Sequence, residues 1–394
     1  MKKQTQAIHL EYERRDAYDS LSVPVYNTLA YEFDNAAVMA EAFTDKIKAP
    51  DYSRVENPTV TNLERRVAAL TDAAHATAFN SGMAAISNTL MALAAQGKNI
   101  VTSKHLFGNT YALLVATLHR FGVKVRLRDL TNIEAVREAI DDDTCCVFLE
   151  ILTNPQLEVA DLKAISEVAH KKNVPLVVDS TVIPFTQFSA KSLGVDIEVV
   201  SSSKYVSGGA TSLGGLVIDY GTPYNGDFAK RLYGEMLFNF GAYMTPQVAY
   251  MQTIGLETLD ARYRVQSSNA LELAKKLRSL PQIKYVNYVG LEDNPYHELA
   301  QRQFGKTAGA MICIDLESKE ACFSFLNNLK LIHRATNLFD NRSLAIHPAS
   351  TIFGAFSENM RKSMDVKDTT IRLSVGLEDV DDLFEDIKQA VDSL

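Results

Sequence analysis

Between about residue 60 and residue 220 the chain alternates between helical and strand patterns. In "NLERRVAALTD" the residues Leu63, Val67 and Leu70 recur at spacings of four and three, the mark of an amphipathic helix. "SGMAAISNTLMALAAQG" reads as a second helix, capped near Asn80-Ser81 and stopped by Gly97. "LKAISEVAHKKN" reads as a third. Short apolar runs, "KNIVTS", "VKVRLRD", "CCVFLEIL" and "VPLVVDST", stand between them as strands. Parallel strands need crossover connections, and helices in those crossovers cover both faces of the sheet. The expected fold is therefore α/β, with a mostly parallel sheet whose ligands bind beyond the C-terminal ends of the strands.

A long helical stretch, "TPQVAYMQTIGLETLDARYRVQSSNALELAKKLRSLP", leads out of this region. Strands ("KYVNYVG", "GAMICIDL") and the helix "KEACFSFLNNLK" follow. The last helix sets Val380, Leu383, Phe384, Ile387, Ala390 and Val391 at helical spacing, with acids in its first turn. A smaller α+β domain is expected here, and 394 residues suffice for two cores. The predicted division is an N-terminal arm over 1–56, a large domain over 57–245 and a small domain over 246–394. A net charge of −8 without a basic block argues against nucleic acid. The charged start "MKKQTQAIHLEYERRDAYDS" lacks the apolar core of a signal peptide, and no run approaches the ~20 apolar residues of a membrane span. Cys145 and Cys146 sit in an apolar strand, there is no C-x-x-C or H-E-x-x-H, and the histidines are scattered. The expectation is core cysteines, no metal, and a cytoplasmic home.

The stretch "VVSSSKYVSGGATSLGGLVID" sets Lys204 among hydroxyls and glycines between two apolar runs. That is the composition of a tight connection close to a ligand, although a plain surface-loop lysine fits as well. Both nucleotide readings fail. G-x-G-x-x-G is absent, and Gly209 and Gly214 have Walker spacing but Gly215 stands where the lysine is needed. "FNSGMAAI" places Ser-Gly at a helix N-terminus, suited to phosphate or simply to starting a helix. "VVDS" puts Asp179 at the C-terminal end of a buried strand, as a ligand carboxylate or a turn cap. Ser201 and Ser203 share a side if strand alternation persists. Phosphate donors, a carboxylate and a lysine are what pyridoxal 5′-phosphate (PLP) demands: lysine for the Schiff base, acid to keep the pyridine nitrogen protonated, donors for the phosphate.

"YSRVENPTVTNLERRVAAL", "FNSGMAAI", "TNPQLEVADL", "VVDST", "SSSKY", "HPAST" and "IRLSVGLEDVDDL" occur in this order across nearly the whole chain. Together they resemble the Cys/Met-metabolism class of PLP enzymes, which comprises γ-lyases, β-lyases, cystathionine synthases and O-acylhomoserine sulfhydrylases. The resemblance implies the fold of the aspartate aminotransferases (fold type I). It also implies that Lys204 forms the Schiff base and Asp179 holds the ring nitrogen. The amides of Gly82 and Met83 and the hydroxyls of Ser201 and Ser203 would take the phosphate. Asn154 would orient the cofactor, unless it is only a β-turn residue before Pro155. Tyr52 and Arg54, in "YSR", would reach the phosphate of a neighbouring subunit, with Tyr52 also near the substrate; a surface loop is the alternative. A homodimer is then the minimum unit and a tetramer the expected assembly. Arg372 would fork onto the substrate carboxylate, the alternative being a solubilising charge on an edge strand.

The chain departs from that family at three places. "HLFGNTY" supplies Phe107 where a tyrosine is usual, which keeps ring stacking but not the hydroxyl that assists leaving-group departure. Asn109 stands where lyases carry a reactive cysteine, and Phe353 in "HPASTIF" replaces a common histidine. Tyr111, one helical turn after Phe107, is a candidate substitute acid. "ATNLFDNRSLAIHPAST" resembles the N-x-G-D-x-(R/K)-S-L segment of O-acetylhomoserine sulfhydrylases. Asn337, Asp340, Arg342 and Ser343 match it, Phe339 replaces the glycine, and Asn337 falls at the substrate; γ-lyases more often have serine there. The expected reaction is γ-replacement on an activated homoserine ester by sulfide or a thiol. The alternatives are an α,γ- or α,β-elimination lyase, which the absence of sulfhydrylase insertions favours, and a silent regulatory subunit. Retention of Lys204, Asp179 and Arg372 speaks against the last.

Overall fold

The computed structural model describes residues 1–10, 16–44 and 46–394. Its larger sheet contains β1 His75–Phe79, β2 Asn99–Thr102, β3 Lys124–Leu127, β4 Thr144–Glu150, β5 Leu176–Asp179, β6 Ile197–Val200 and β7 Gly215–Asp219. The order is β1-β7-β6-β5-β4-β2-β3. From β3 across to β6 every pairing is parallel, and only β7 runs against its neighbours β6 and β1. The reversal has a simple cause. The segment 201–214 joins β6 to β7 without a crossover helix, which only antiparallel neighbours permit. Lys204 lies on that segment.

The helices Pro58–Thr71, Gly82–Leu93 and Leu162–His170 form where expected. The second ends earlier than predicted: Ala94 turns extended, its N–H closing on Leu90, and Gly97 (φ +87°) makes the turn into β2 instead. With helices on both faces, β4, β5 and β6 are buried along almost their whole length. This is the α/β, mostly parallel architecture of the type I fold.

The smaller sheet contains β8 Tyr285–Asn287, β9 Met311–Asp315, β10 His333–Arg334, β11 Leu344–Ile346 and β12 Thr370–Ser374, in the order β10-β11-β12-β9-β8. Between the sheets the predicted long helix is two, Pro246–Glu257 and Leu259–Leu277, divided at Thr258. The final helix, Val380–Val391, buries Leu383, Ile387, Ala390 and Val391, but Val380 and Phe384 only half. The Lys276 ammonium lies over the Phe384 ring. Asp386 is buried on the same helix as a fixed acceptor for the N–H groups of Lys330, Leu331 and Ile332, a role the apolar pattern does not reveal. No helix among the described residues is long and apolar enough to cross a membrane.

Candidate active site

Glu150 and Asp179, the last residues of β4 and β5, and Ser201, the first residue after β6, surround a cavity of about 440 Å³. Residues of the small-sheet half, Thr336, Leu338, Thr351, Ile352 and Arg372, close its other side. Lys204 lines the floor and donates from Nζ to Asn337 Oδ1 at 2.7 Å. Burial, reinforced by the Arg372 guanidinium, lowers its pKa to about 8. A surface-loop lysine would have neither neighbour.

Glu150 and Asp179 are register partners on adjacent strands, and both line the cavity. Burial and the nearby Asp179 push the Glu150 carboxyl up to about 8, although the backbone amides of Phe107 and Asn154 hold it back. Asp179 is also raised by burial, against the hydrogen bonds of Thr181, whose N–H donates to Oδ1 at 2.9 Å. Two buried carboxyls side by side resist ionising together. Glu150 Oε1 accepts the Phe107 N–H, so the second acid also fixes the residue whose ring borders the cavity.

The helix Gly82–Leu93 points its N-terminus at the same space. Ser81 caps it, Oγ accepting from the Ala84 amide and the carbonyl from that of Ala85. The amides of Gly82 and Met83 come ahead of these, and both residues line the cavity. A Cβ on Gly82 would stand 2.5 Å from Ser201 Cβ, so only glycine lets the helix end approach the β6–β7 segment this closely.

Arg372 lies on β12, which is flanked by β11 and β9. An edge-strand solubilising charge is thereby ruled out. It is 2% exposed, and its Nη1 donates to Asn154 Oδ1 at 3.1 Å and its Nη2 to the Thr336 carbonyl at 3.2 Å. Its Nε is buried with no hydrogen-bond partner. Burial lowers the guanidinium to about 10. An unpartnered donor on a buried cation is costly unless an anion completes it.

The family model for Cys/Met metabolism PLP-dependent enzymes matches residues 4–392. The chain belongs to that family. It is 37% identical over 394 residues to an L-methionine γ-lyase of Fusobacterium nucleatum subsp. polymorphum, covering 99% of this chain and 98% of the other. It is 32% identical over 417 residues to the O-acetyl-L-homoserine sulfhydrylase of Corynebacterium glutamicum, with 98% and 95% covered. Among solved structures, a Campylobacter jejuni protein assigned as an O-acetylhomoserine (thiol)-lyase superposes with a TM-score of 0.95 at 35% identity, over all of both chains. That structure contains N′-pyridoxyl-lysine-5′-monophosphate.

The residues of this PLP-dependent family member fit the cofactor. Helix-end amides against a glycine-permitted approach suit a phosphate, Lys204 and Asp179 share the cavity, and the buried Arg372 cation borders it. The geometry brings Gly82, Met83, Phe107, Asn154, Asp179, Ser201, Lys204 and Arg372 to one cavity, with Asn337 and Ser203 at an adjoining cleft. Ser203 is less free than predicted: its hydroxyl donates to the Gly214 carbonyl at 3.1 Å and accepts from the Gly214 amide at 2.9 Å. Tyr52 and Arg54 lie outside this chain's own cavity. The guanidinium sits 5.6 Å from the Tyr52 ring centroid, and its Nη1 donates to the Phe238 carbonyl.

Tyr111 does not reach the cavity either. Its ring meets Phe356 edge-on at 5.9 Å, which removes it as a substitute acid within this chain. Phe353 is fully buried among Ala349, Met364 and Val366, while its neighbours Thr351 and Ile352 face the cavity. Sequence reasoning passed over two features. Glu150 ends an apolar strand just as Asp179 does, so the same signal could have found it. His105, two residues before Phe107, is clasped between Glu158 and Asp365. Burial pulls its pKa down, but the two carboxylates outweigh that and raise it. Only the fold brings those three together.

Proposed function

We propose that this family member catalyses γ-replacement on an activated homoserine ester, with sulfide or a thiol as the incoming group. The observation that carries this reading is the cavity wall where the leaving group would depart. Phe107 occupies it, and no tyrosine is among the described residues lining the cavity. A carboxylate leaves well without a proton, whereas a thiolate gains more from an acid. Bound in the cavity, PLP supplies an electron sink for carbanion chemistry at the substrate Cα. Arg372, whose guanidinium borders the cavity, grips the substrate carboxylate. Lys204, once released as a free amine, takes the Cα proton on Nζ and returns it. Its pKa of about 8 leaves part of it neutral near pH 7. Asp179 holds the proton at the ring nitrogen, and the Phe107 ring walls the cofactor from water.

The same reading makes Gly82, Met83 and Ser201 the principal phosphate ligands, with Asn154 as the orienting amide. It assigns Tyr52 and Arg54 of one subunit to a neighbour's site, hence a dimer at least and a tetramer by family habit. The exposed Tyr52, Phe238 and Leu213, at 40%, 37% and 71%, support a covering partner. The three-part division of the chain and a cytoplasmic home belong to the same proposal. The 37% identity to a methionine γ-lyase favours elimination as the second reading. Supplying O-acetylhomoserine with and without sulfide decides between them. Homocysteine made only with sulfide supports replacement, and 2-oxobutyrate formed equally in both overturns it.

A further inference from the structure

Residues 336–341 run alongside the segment that carries Lys204 and are fastened to it at alternate positions. Asn337 Oδ1 accepts from Lys204 Nζ at 2.7 Å. The Phe339 ring stacks on Tyr205, centroids 4.0 Å apart and planes 9° from parallel. Asn341 Nδ2 donates to the Gly208 carbonyl at 3.2 Å. The middle fastening is unusual. Phe339 is fully buried with φ +57°, in the left-handed region that a glycine enters freely and a phenylalanine does not. Its amide donates to Ser374 Oγ at 2.7 Å, and Tyr205 is braced from behind by the edge of Tyr263 at 5.1 Å. A strained backbone persists only where its surroundings over-determine it.

We propose that Phe339 is a positioning residue, whose stack on Tyr205 holds Asn337 as the resting acceptor for the Lys204 ammonium whenever that lysine is not joined to the cofactor. The other ionisable groups lining the cavity are Arg372, Asp179 and Glu150, and none of them is hydrogen-bonded to Nζ among the described residues. Arg372 is a like charge, and its Nη2 is itself spread over the carbonyls of Thr336 and Asn337 at 3.2 and 3.4 Å. Segment 336–341 thus meets both cations of the site through one short piece of backbone. A shift there moves the lysine's partner and the arginine's partners together. The inference deepens the functional proposal, since it takes Lys204 to be the cofactor's lysine.

The test is the ionisation of Lys204 in the full-length protein stripped of cofactor. Labelling with acetic anhydride across pH 6–10 and quantifying the Lys204 peptide by mass spectrometry gives its midpoint. Recovery of the visible band on adding PLP back shows the chain is intact. Loss of a hydrogen bond to a charged group corresponds to about one to two pH units. Asn337→Ala is expected to lower the midpoint by about that much. Phe339→Leu is expected to lower it by most of the same amount, Phe339→Tyr to leave it in place, and the Asn337→Ala/Phe339→Leu pair to shift it no further than Asn337→Ala alone. A wild-type midpoint in Phe339→Leu overturns the positioning role, as does additivity in the pair. A wild-type midpoint in Asn337→Ala overturns the resting site. If Phe339→Leu does not fold, Phe339→Gly, which relieves the backbone and removes the ring, takes the same measurement. Borohydride reduction of the loaded protein and peptide mapping tests Lys204 as the cofactor's lysine independently, so the two failures are distinguishable.

Discussion

Glu150→Gln is expected to stabilise the cofactor-free protein, and to do so only above acidic pH. The wild-type carboxyl is pushed from 4.5 to about 8, so the folded state binds this proton more tightly than the unfolded chain does. Below pH 4.5 the group is neutral in both states and costs nothing; the penalty grows as pH rises through the interval and is constant above pH 8. At pH 7, about 2.5 units above the unfolded value, the penalty is about 3 kcal/mol at 1.36 kcal/mol per unit. Glutamine has the same shape, offers an oxygen to the Phe107 amide and cannot ionise. With an unfolding entropy of about 2.1 cal/mol/K per residue, the whole chain gives ~0.8 kcal/mol/K, so the variant melts about 4 °C higher at pH 7. Scanning calorimetry of both apoproteins from pH 4.5 to 9 reads this directly. The difference should vanish at the acid end and level off near pH 8. Because Asp179 titrates with Glu150, the midpoint of the effect belongs to the pair. A melting difference that is flat with pH, or a variant that loses stability as pH rises, refutes a neutral Glu150.

The remaining predictions concern the cavity. Uptake of PLP by the apoprotein needs a neutral Lys204, so its rate should climb about tenfold per pH unit below 8 and flatten above, followed by stopped-flow absorbance; a pH-independent rate contradicts the lowered pKa. Phe107→Tyr restores a hydroxyl at the cavity wall and should raise elimination from thioethers relative to acyl-ester turnover, with an unchanged ratio counting against that use of Phe107. Gly82→Ala drives a methyl to 2.5 Å from Ser201 Cβ and should abolish retention of PLP through gel filtration, while adding Ser201→Gly should recover part of it. Tight retention by the single variant would show that the helix end does not hold the phosphate.

The sequence carried the parallel core because strands buried on both faces leave short continuous apolar runs, and the helices between them a 3.6 periodicity. β1 escaped it: "HATAF" is short and weakly apolar, and its partner β7 lies far along the chain, so no local pattern announces the pair. At the site, Lys204, Asp179 and Gly82 were legible because each stands at an element end where its residue type is out of place. Glu150 was hidden inside a run read as purely apolar. His105, Glu158 and Asp365 are far apart along the chain and carry no mutual spacing signal. The left-handed Phe339 left one trace, the glycine that the resembling sulfhydrylase segment carries at its place, but the phenylalanine itself does not announce a positive φ.

The lysine and the arginine hang from different sheets, Lys204 beyond β6 and Arg372 on β12. An amino acid seated between them would touch both sheets at once, so the small sheet is as much a wall of the cavity as the large one.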